Sequence, residues 1–216
     1  MSTRRALAQQ LGVVAGFDSP SVELEQYPTP PEVAASLVHV ADMEDDVADR
    51  TVVDLGTGTG MLALGAALRG ATRVVGVDLD REALDTAREN ERRVGARTDI
   101  HWVAGDATRP PLCPAEDDPV TVVMNPPFGA QRGNEHADRA FLAAASGVAD
   151  VSYSIHNAGS QEFVESFAAD HGGAVTHAFA VELDLDRQFP FHEEESKPID
   201  AEAYRIDWTG DGASDD

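Results

Sequence analysis

The sequence predicts an α/β protein: a doubly wound sheet of seven strands, mostly parallel, with helices on both faces and an antiparallel C-terminal strand. Three observations predict it. From residue 51 onward, short β-branched runs alternate with longer helical segments, the pattern of a parallel sheet with helical crossovers. The first run is followed by a turn containing Gly56, Gly58 and Gly60. The last two strand-like runs have no helical segment between them, which makes them an antiparallel pair at one edge.

Taken in order, Thr29-Pro30-Pro31-Glu32 fits a capping box with proline in the first turn, and predicts a helix starting at Pro30. Strands follow at Thr51–Leu55, Arg73–Val77, Ile100–Val103 and Val120–Met124, with helices at Met61–Arg69 and Arg81–Val94 between the first three. Beyond them the pattern gives a helix near Ala137–Ala145, a strand near Asp150–Ile155, and a helix near Gln161–Asp170. The final strands lie near Ala174–Leu185 and Ala201–Trp208. One domain is expected over residues 1–208, with 1–50 as an N-terminal helical extension and the polar tail 209–216 disordered.

Composition limits the function classes. No apolar run approaches the roughly 18 residues of a membrane span, and the start lacks the apolar core of a secretory signal. The lone cysteine, Cys113, excludes an internal disulfide or a cysteine-based zinc site, so no metal is expected and a cytoplasmic location is. Acidic residues number 39 against 16 basic, and the net charge is −23. Because the acids are spread along the chain, the balance reads as a whole-surface adaptation to a salt-rich cytoplasm, where the Debye length shrinks to about 3 Å at 1 M. Acidity therefore does not exclude a nucleic-acid substrate.

Three successive strand ends carry the first functional signal. Glycines after Asp54 let a ligand approach the backbone, and the helix that follows presents free amides. The spacing is G-x-G-x-G, unlike the dinucleotide fingerprint, and no P-loop lysine is present. Asp78, 22 residues after Gly56, suits a carboxylate that accepts from ribose hydroxyls; Asp106 ends the third strand on the same edge. Each alone is readable as a cap or turn, and Asp80 reads as the cap of the helix from Arg81. Together they resemble the class I S-adenosylmethionine-dependent methyltransferases, whose sheet is Rossmann-like.

The fourth strand ends in Asn125-Pro126-Pro127-Phe128. Paired prolines cannot continue a ladder, so the chain must leave the sheet there with fixed dihedrals. Methyl transfer needs a nucleophilic lone pair held in line, and a conjugated amine is a poor nucleophile. Two acceptors, the Asn125 side-chain oxygen and the Pro126 carbonyl, could take both N–H bonds of a planar amine and orient its lone pair. Phe128 offers a face for a flipped base. A plain strand-ending turn with Phe128 in the core is the bland alternative.

The stretches "LEQYPTPP", "DLGTGTGMLALGAALRGA", "VDLDREAL", "MNPPFGAQ", "HADRAFL", "YSIHNAGSQEFV" and "FPFHEEES" occur in an order and spacing similar to one family. They resemble the small-subunit ribosomal-RNA adenine-N6 methyltransferases of archaea and eukaryotes, and the chain looks like a halophilic archaeal member. The resemblance implies S-adenosylmethionine as cofactor, with Gln26 and Thr29 closing over it. Asp54, Gly56, Gly58, Thr59, Gly60 and Met61 would bind its methionine end. Asp78 and Leu79 would hold the ribose, Asp106, Ala107 and Thr108 the adenine, and Asn125 would face the reacting carbon. Tyr27 and Phe128 would flank the target base. A small zinc-binding activator protein is implied as a heterodimer partner.

Two departures stand out: Thr57 and Thr59 occupy positions where the family often has cysteines, and "EEESK" replaces a basic run after "FPFH". RNA contacts then fall to Arg4, Arg5, Arg132 and Arg139, while His156 and His192 read as orienting or structural groups. The competing readings are an N5-glutamine methyltransferase acting on a release factor, and a catalytically idle ribosome-assembly module.

Overall fold

In the computed structural model the described residues are 3–115, 117–127, 137–183 and 199–210. Strands β1 (Thr51–Leu55), β2 (Arg73–Asp78), β3 (Ile100–Ala104), β4 (Val120–Met124), β5 (Val151–Asn157), β6 (Ala174–Leu183) and β7 (Ile199–Asp207) form one sheet in the order β3-β2-β1-β4-β5-β7-β6. β1 to β5 pair in parallel, and β7 runs antiparallel to both of its neighbours, β5 and β6.

β1 and β4 are buried along their whole length because both faces of the sheet are covered. The period of two sorts their side chains. Val52 and Val123 join a core under helices α1 (Arg4–Leu11), α2 (Pro31–Met43) and α3 (Met61–Leu68). Val53, Leu55, Val122 and Met124 point the other way, toward α5 (Ala137–Ser146) and α6 (Gln161–Asp170). A one-residue slip would exchange the two sets. Helix α4 (Arg81–Val94) covers β2 and β3 with its narrow stripe of Ala83, Leu84 and Ala87. Beside it Trp102 of β3 lies over Gly76 of β2, where a Cβ would stand 2.7 Å from the indole ring.

One element differs from expectation. Pro30, not Thr29, is the N-cap of α2, and no side chain caps the helix. The capping box does not form: the helix begins at Pro31, so Thr29 lies one residue before the cap position, and its hydroxyl accepts from Asn125 instead. The two prolines fix the start of the helix by their own dihedrals. Helix α1, which periodicity did not reveal, packs on α2 and α3 through Leu7 and Leu11. A buried network closes the same face: Asp46 accepts from the Tyr153 hydroxyl (2.7 Å) and from Arg205 Nε (2.8 Å), tying the chain before β1 to β5 and β7. Among the described residues no helix is long and apolar enough to cross a membrane.

Candidate active site

The strand order reverses at β1, whose neighbours are β2 on one side and β4 on the other, so a crevice opens at the carboxyl ends of these strands. A cavity of about 380 Å³ occupies it, within the range of small-molecule sites. Gly56 (φ 70°), Gly58 (φ 52°) and Gly60 (φ 91°) are all left-handed, a conformation that glycine adopts without a Cβ penalty. Gly56 and Gly58 line the cavity, whereas Gly60 caps α3 and is packed by Trp102.

Asp54 lies beneath the turn, almost fully buried. Its Oδ2 accepts from the Thr57 hydroxyl (2.7 Å) and from the Ala63 amide (2.9 Å) in the first turn of α3. Burial pushes its carboxyl up to about 7, against the opposing pull of these two donors. Asp54 thus shapes the turn from below. It borders only a small recess of about 40 Å³, together with Thr29, Thr59, Met61 and Asn125.

Asp78 reaches the larger cavity, and its carboxylate accepts from the amides of Gly58 (2.7 Å) and Asp80 (2.9 Å). Burial raises its pKa, partly offset by those amides. Asp106 also lines the cavity, with Ala107 and Thr108. The Thr108 hydroxyl (2.6 Å) and amide (2.9 Å) donate to it, and the hydroxyl contributes most to holding its carboxyl below the usual range. Leu79 stays 61% exposed and presents apolar surface on the cavity wall.

Asn125 stands where the larger cavity meets the small recess. Its Nδ2 donates to Thr29 Oγ1 at 3.0 Å, which orients the amide. Its Oδ1 is buried and has no partner among the described residues. A buried unpaired acceptor costs about 1–3 kcal/mol, so the oxygen is poised for a donor from outside the chain. Pro127 lines the cavity and Pro126 does not. Phe128, Arg132 and His192 lie outside the described residues.

The segment 12–30 forms the outer wall. Gln26 and Tyr27 line the cavity, and Gln26 Nε2 donates to Asp80 Oδ2 (2.7 Å), where Asp80 also caps α4 as its sequence position suggests. His156 is not at the site: it is buried, bonded to Ser154 (2.8 Å), packed edge-on to Tyr204, and lowered to about 4 by burial. Arg4 bonds Ser36 and Arg139 lies over the Phe163 and Phe167 rings, both keeping exposed surface. Among the described residues no three His, Cys, Asp or Glu side chains converge as a metal site.

Sequence reasoning missed three contributors. Phe17 covers Gly58 and Phe141 covers Gly56, each where a Cβ would collide with the ring. Asn90 is fully buried and joins segment 12–30 to the glycine turn. The signal for Asn90 was present: it falls on the stripe Ala83, Ala87, Asn90, Val94 of a helix otherwise full of charge.

The family model for ribosomal protein L11 methyltransferase (PrmA) matches residues 35–121 and ends before Asn125, so it covers the strands around the glycine turn and not the fourth strand end. An rRNA N(6)-adenosine-methyltransferase, Mettl5 of Drosophila melanogaster, is 33% identical over 94% of this chain and 95% of its own length. An uncharacterised protein of Methanocaldococcus jannaschii is 33% identical over 97% of this chain and 96% of its own. A crystal structure from Pyrococcus horikoshii, described as a candidate RNA methyltransferase, superposes with a TM-score of 0.84 at 38% identity, covering 96% of this chain and 98% of that one. Likeness that runs from the N-terminal segment to the last strand includes both the cavity and its outer wall. The chain belongs to the METTL5-like rRNA N(6)-adenosine-methyltransferase family, with the class I S-adenosylmethionine-dependent methyltransferase fold.

Proposed function

We propose that this protein transfers a methyl group from S-adenosylmethionine to N6 of an adenosine in small-subunit ribosomal RNA. The observation that carries this reading is the buried Oδ1 of Asn125, without a partner among the described residues, at the junction of the two cavities. It supplies the acceptor that a planar amine requires.

The residues present fit the cofactor. Asp78 offers a carboxylate to a ribose diol, Leu79 and Phe17 offer apolar faces to a base, and the left-handed glycines bring the backbone within reach. When bound, S-adenosylmethionine supplies an electrophilic methyl group on a sulfonium. Gln26 and Tyr27 keep water from the cleft by walling its outer side. Asn125 Oδ1 accepts one N–H bond of the adenine amine, and the Pro126 carbonyl, set behind the cavity wall, takes the other once the base is seated, which turns the lone pair out of conjugation and toward the cleft. Thr29 holds the asparagine in that orientation. Phe128 provides the stacking face for the flipped base.

The same reading extends to a small zinc-binding activator as heterodimer partner, to a cytoplasmic location, and to a salt-rich interior that screens the charge of −23. These rest on the family resemblance and the composition. Mass spectrometry of nucleosides from ribosomal RNA of a strain lacking this gene tests the central reading. Loss of a single N6-methyladenosine from small-subunit RNA is expected. Intact adenosine methylation with loss of a methylglutamine from a release factor would transfer the activity to the competing substrate.

A further inference from the structure

Segment 12–30 crosses from α1 to α2 along the cleft without a helix or strand of its own. Two of its fastenings are on α4. At the N-terminus of that helix, Asp80 accepts from Gln26. Ten residues further on, and so about 15 Å along the axis at 1.5 Å per residue, the fastening is Asn90. Between them Phe17 lies on Gly58.

Asn90 uses every hydrogen-bonding position that an amide side chain has. Its Oδ1 accepts from the Ala15 amide (2.9 Å) and from Arg93 (3.2 Å). Its Nδ2 donates to the Ala15 carbonyl (2.9 Å) and to the Thr59 carbonyl (3.0 Å). Ala15 is thus paired as it would be by a neighbouring strand, and the same side chain grips the residue between Gly58 and Gly60. The outer wall of the cleft and its glycine floor share one buried clamp. The other end of the wall is independent of it, since Thr29 is fixed by the start of α2 and bonds Asn125 directly.

We propose that Asn90 is a positioning residue for the cofactor: it fastens the outer wall to the glycine turn and so sets how tightly S-adenosylmethionine is held, leaving the transfer step to Asn125. This rests on the reading of the cleft as the S-adenosylmethionine site. Without the clamp, Ala15 and Thr59 turn to water, and the stretch carrying Phe17, Gln26 and Tyr27 opens at a low local free energy.

Asn90→Asp is the test, since it keeps the size and replaces the two donors with an oxygen facing two carbonyls. Cofactor binding by calorimetry is expected to weaken at least about ten-fold, with a matching rise in the KM for cofactor. The kcat at saturating cofactor is expected to stay within about three-fold of the unaltered enzyme. Amide exchange should accelerate in residues 12–28 while β1 and β4 stay protected, with a global unfolding midpoint that moves less. Unaltered binding and exchange, or a fall in kcat at constant KM, overturns the proposal. Should Asn90→Asp not fold, Ala15→Pro leaves Asn90 in place, removes the amide donated to it and fixes φ at that position, and is expected to weaken binding in the same way; normal binding in that variant overturns the clamp. Failure of the unaltered protein to bind S-adenosylmethionine would instead defeat the cofactor reading itself.

Discussion

Asn125 gives one amide hydrogen to Thr29 and keeps its oxygen buried without a partner among the described residues, so two substitutions should separate its duties. Asn125→Ala removes the acceptor. It is expected to lower kcat about 10²–10³-fold, the scale for one preorganised polar group, with cofactor affinity largely retained in a calorimetric titration. Thr29→Val removes only the hydroxyl that orients the amide. One hydrogen bond of about 1.4 kcal/mol corresponds to a ten-fold loss in kcat, and an unchanged rate would release Thr29 from that role. Asp54 carries a different signature. Its native pKa of about 7 exceeds the ordinary 3.8, so between these values the folded chain holds a proton that the unfolded chain has lost. Its contribution therefore weakens stability as pH rises through that window and levels off above it. Unfolding free energy measured against an Asp54→Asn variant should decline from pH 4 to pH 7 by at most about 1.4 kcal/mol per unit, and a flat difference would place the carboxyl at an ordinary pKa. Asp54, Asp78, Asp106 and Asn125 could be placed at this edge of the sheet from the sequence because each lies at or just beyond the end of a strand-like run. Thr29 was misread as a cap, because a threonine before two prolines has the same pattern whether its hydroxyl turns to the helix or to another strand.

At the scale of elements, the glycine turn works because aromatic rings fill the space its side chains would need. A Cβ on Gly58 would stand 2.8 Å from the Phe17 ring, on a backbone already at φ 52°. Gly58→Ala is expected to displace Phe17, to cost on the order of 1–2 kcal/mol of stability through left-handed strain, and to weaken cofactor binding more than it slows turnover at saturation. A thermal melt and a binding titration on one preparation check both parts; wild-type affinity would show that Phe17 does not close the wall. Strands β1 to β5 and helices α3 to α6 were legible as short apolar runs alternating with helical segments, and a sequence with no helical pattern between the last two runs forecast the antiparallel pairing of β6 and β7. Segment 12–30 was not, because it has no period at all: its place depends on single residues far along the chain, the side chains of Asn90 and Asp80 and the bare backbone of Gly58. Helix α1 was equally silent, with only Leu7 and Leu11 buried among eight residues.

For the molecule as a whole, the difficulty is charge. An enzyme that must approach a polyanion carries a net −23, and on the described surface several arginines are already paired with neighbouring carboxylates, such as Arg88 with Asp85 and Arg93 with Glu89. In dilute buffer, carboxylate repulsion opposes both the fold and the encounter with RNA. Salt at molar concentration shortens the range of that repulsion to about 3 Å, less than the spacing of most surface charges, and leaves short hydrogen bonds at the cleft intact. Two outcomes follow from the same cause. The melting temperature should rise on the order of 10 °C between 0.1 and 2 M KCl, which corresponds to about 3–4 kcal/mol at 2–4 °C per kcal/mol for a chain of this size. Affinity for ribosomal RNA should fall far less steeply with salt than the slope of about −0.7 to −0.9 per phosphate contact seen for basic proteins, or should rise. Both are read in one titration series, by calorimetry and by RNA filter binding. A protein that melts at the same temperature in both salts and loses RNA steeply would be an ordinary acidic enzyme with a concentrated basic patch, and the search for that patch would begin at Arg4, Arg5 and Arg139.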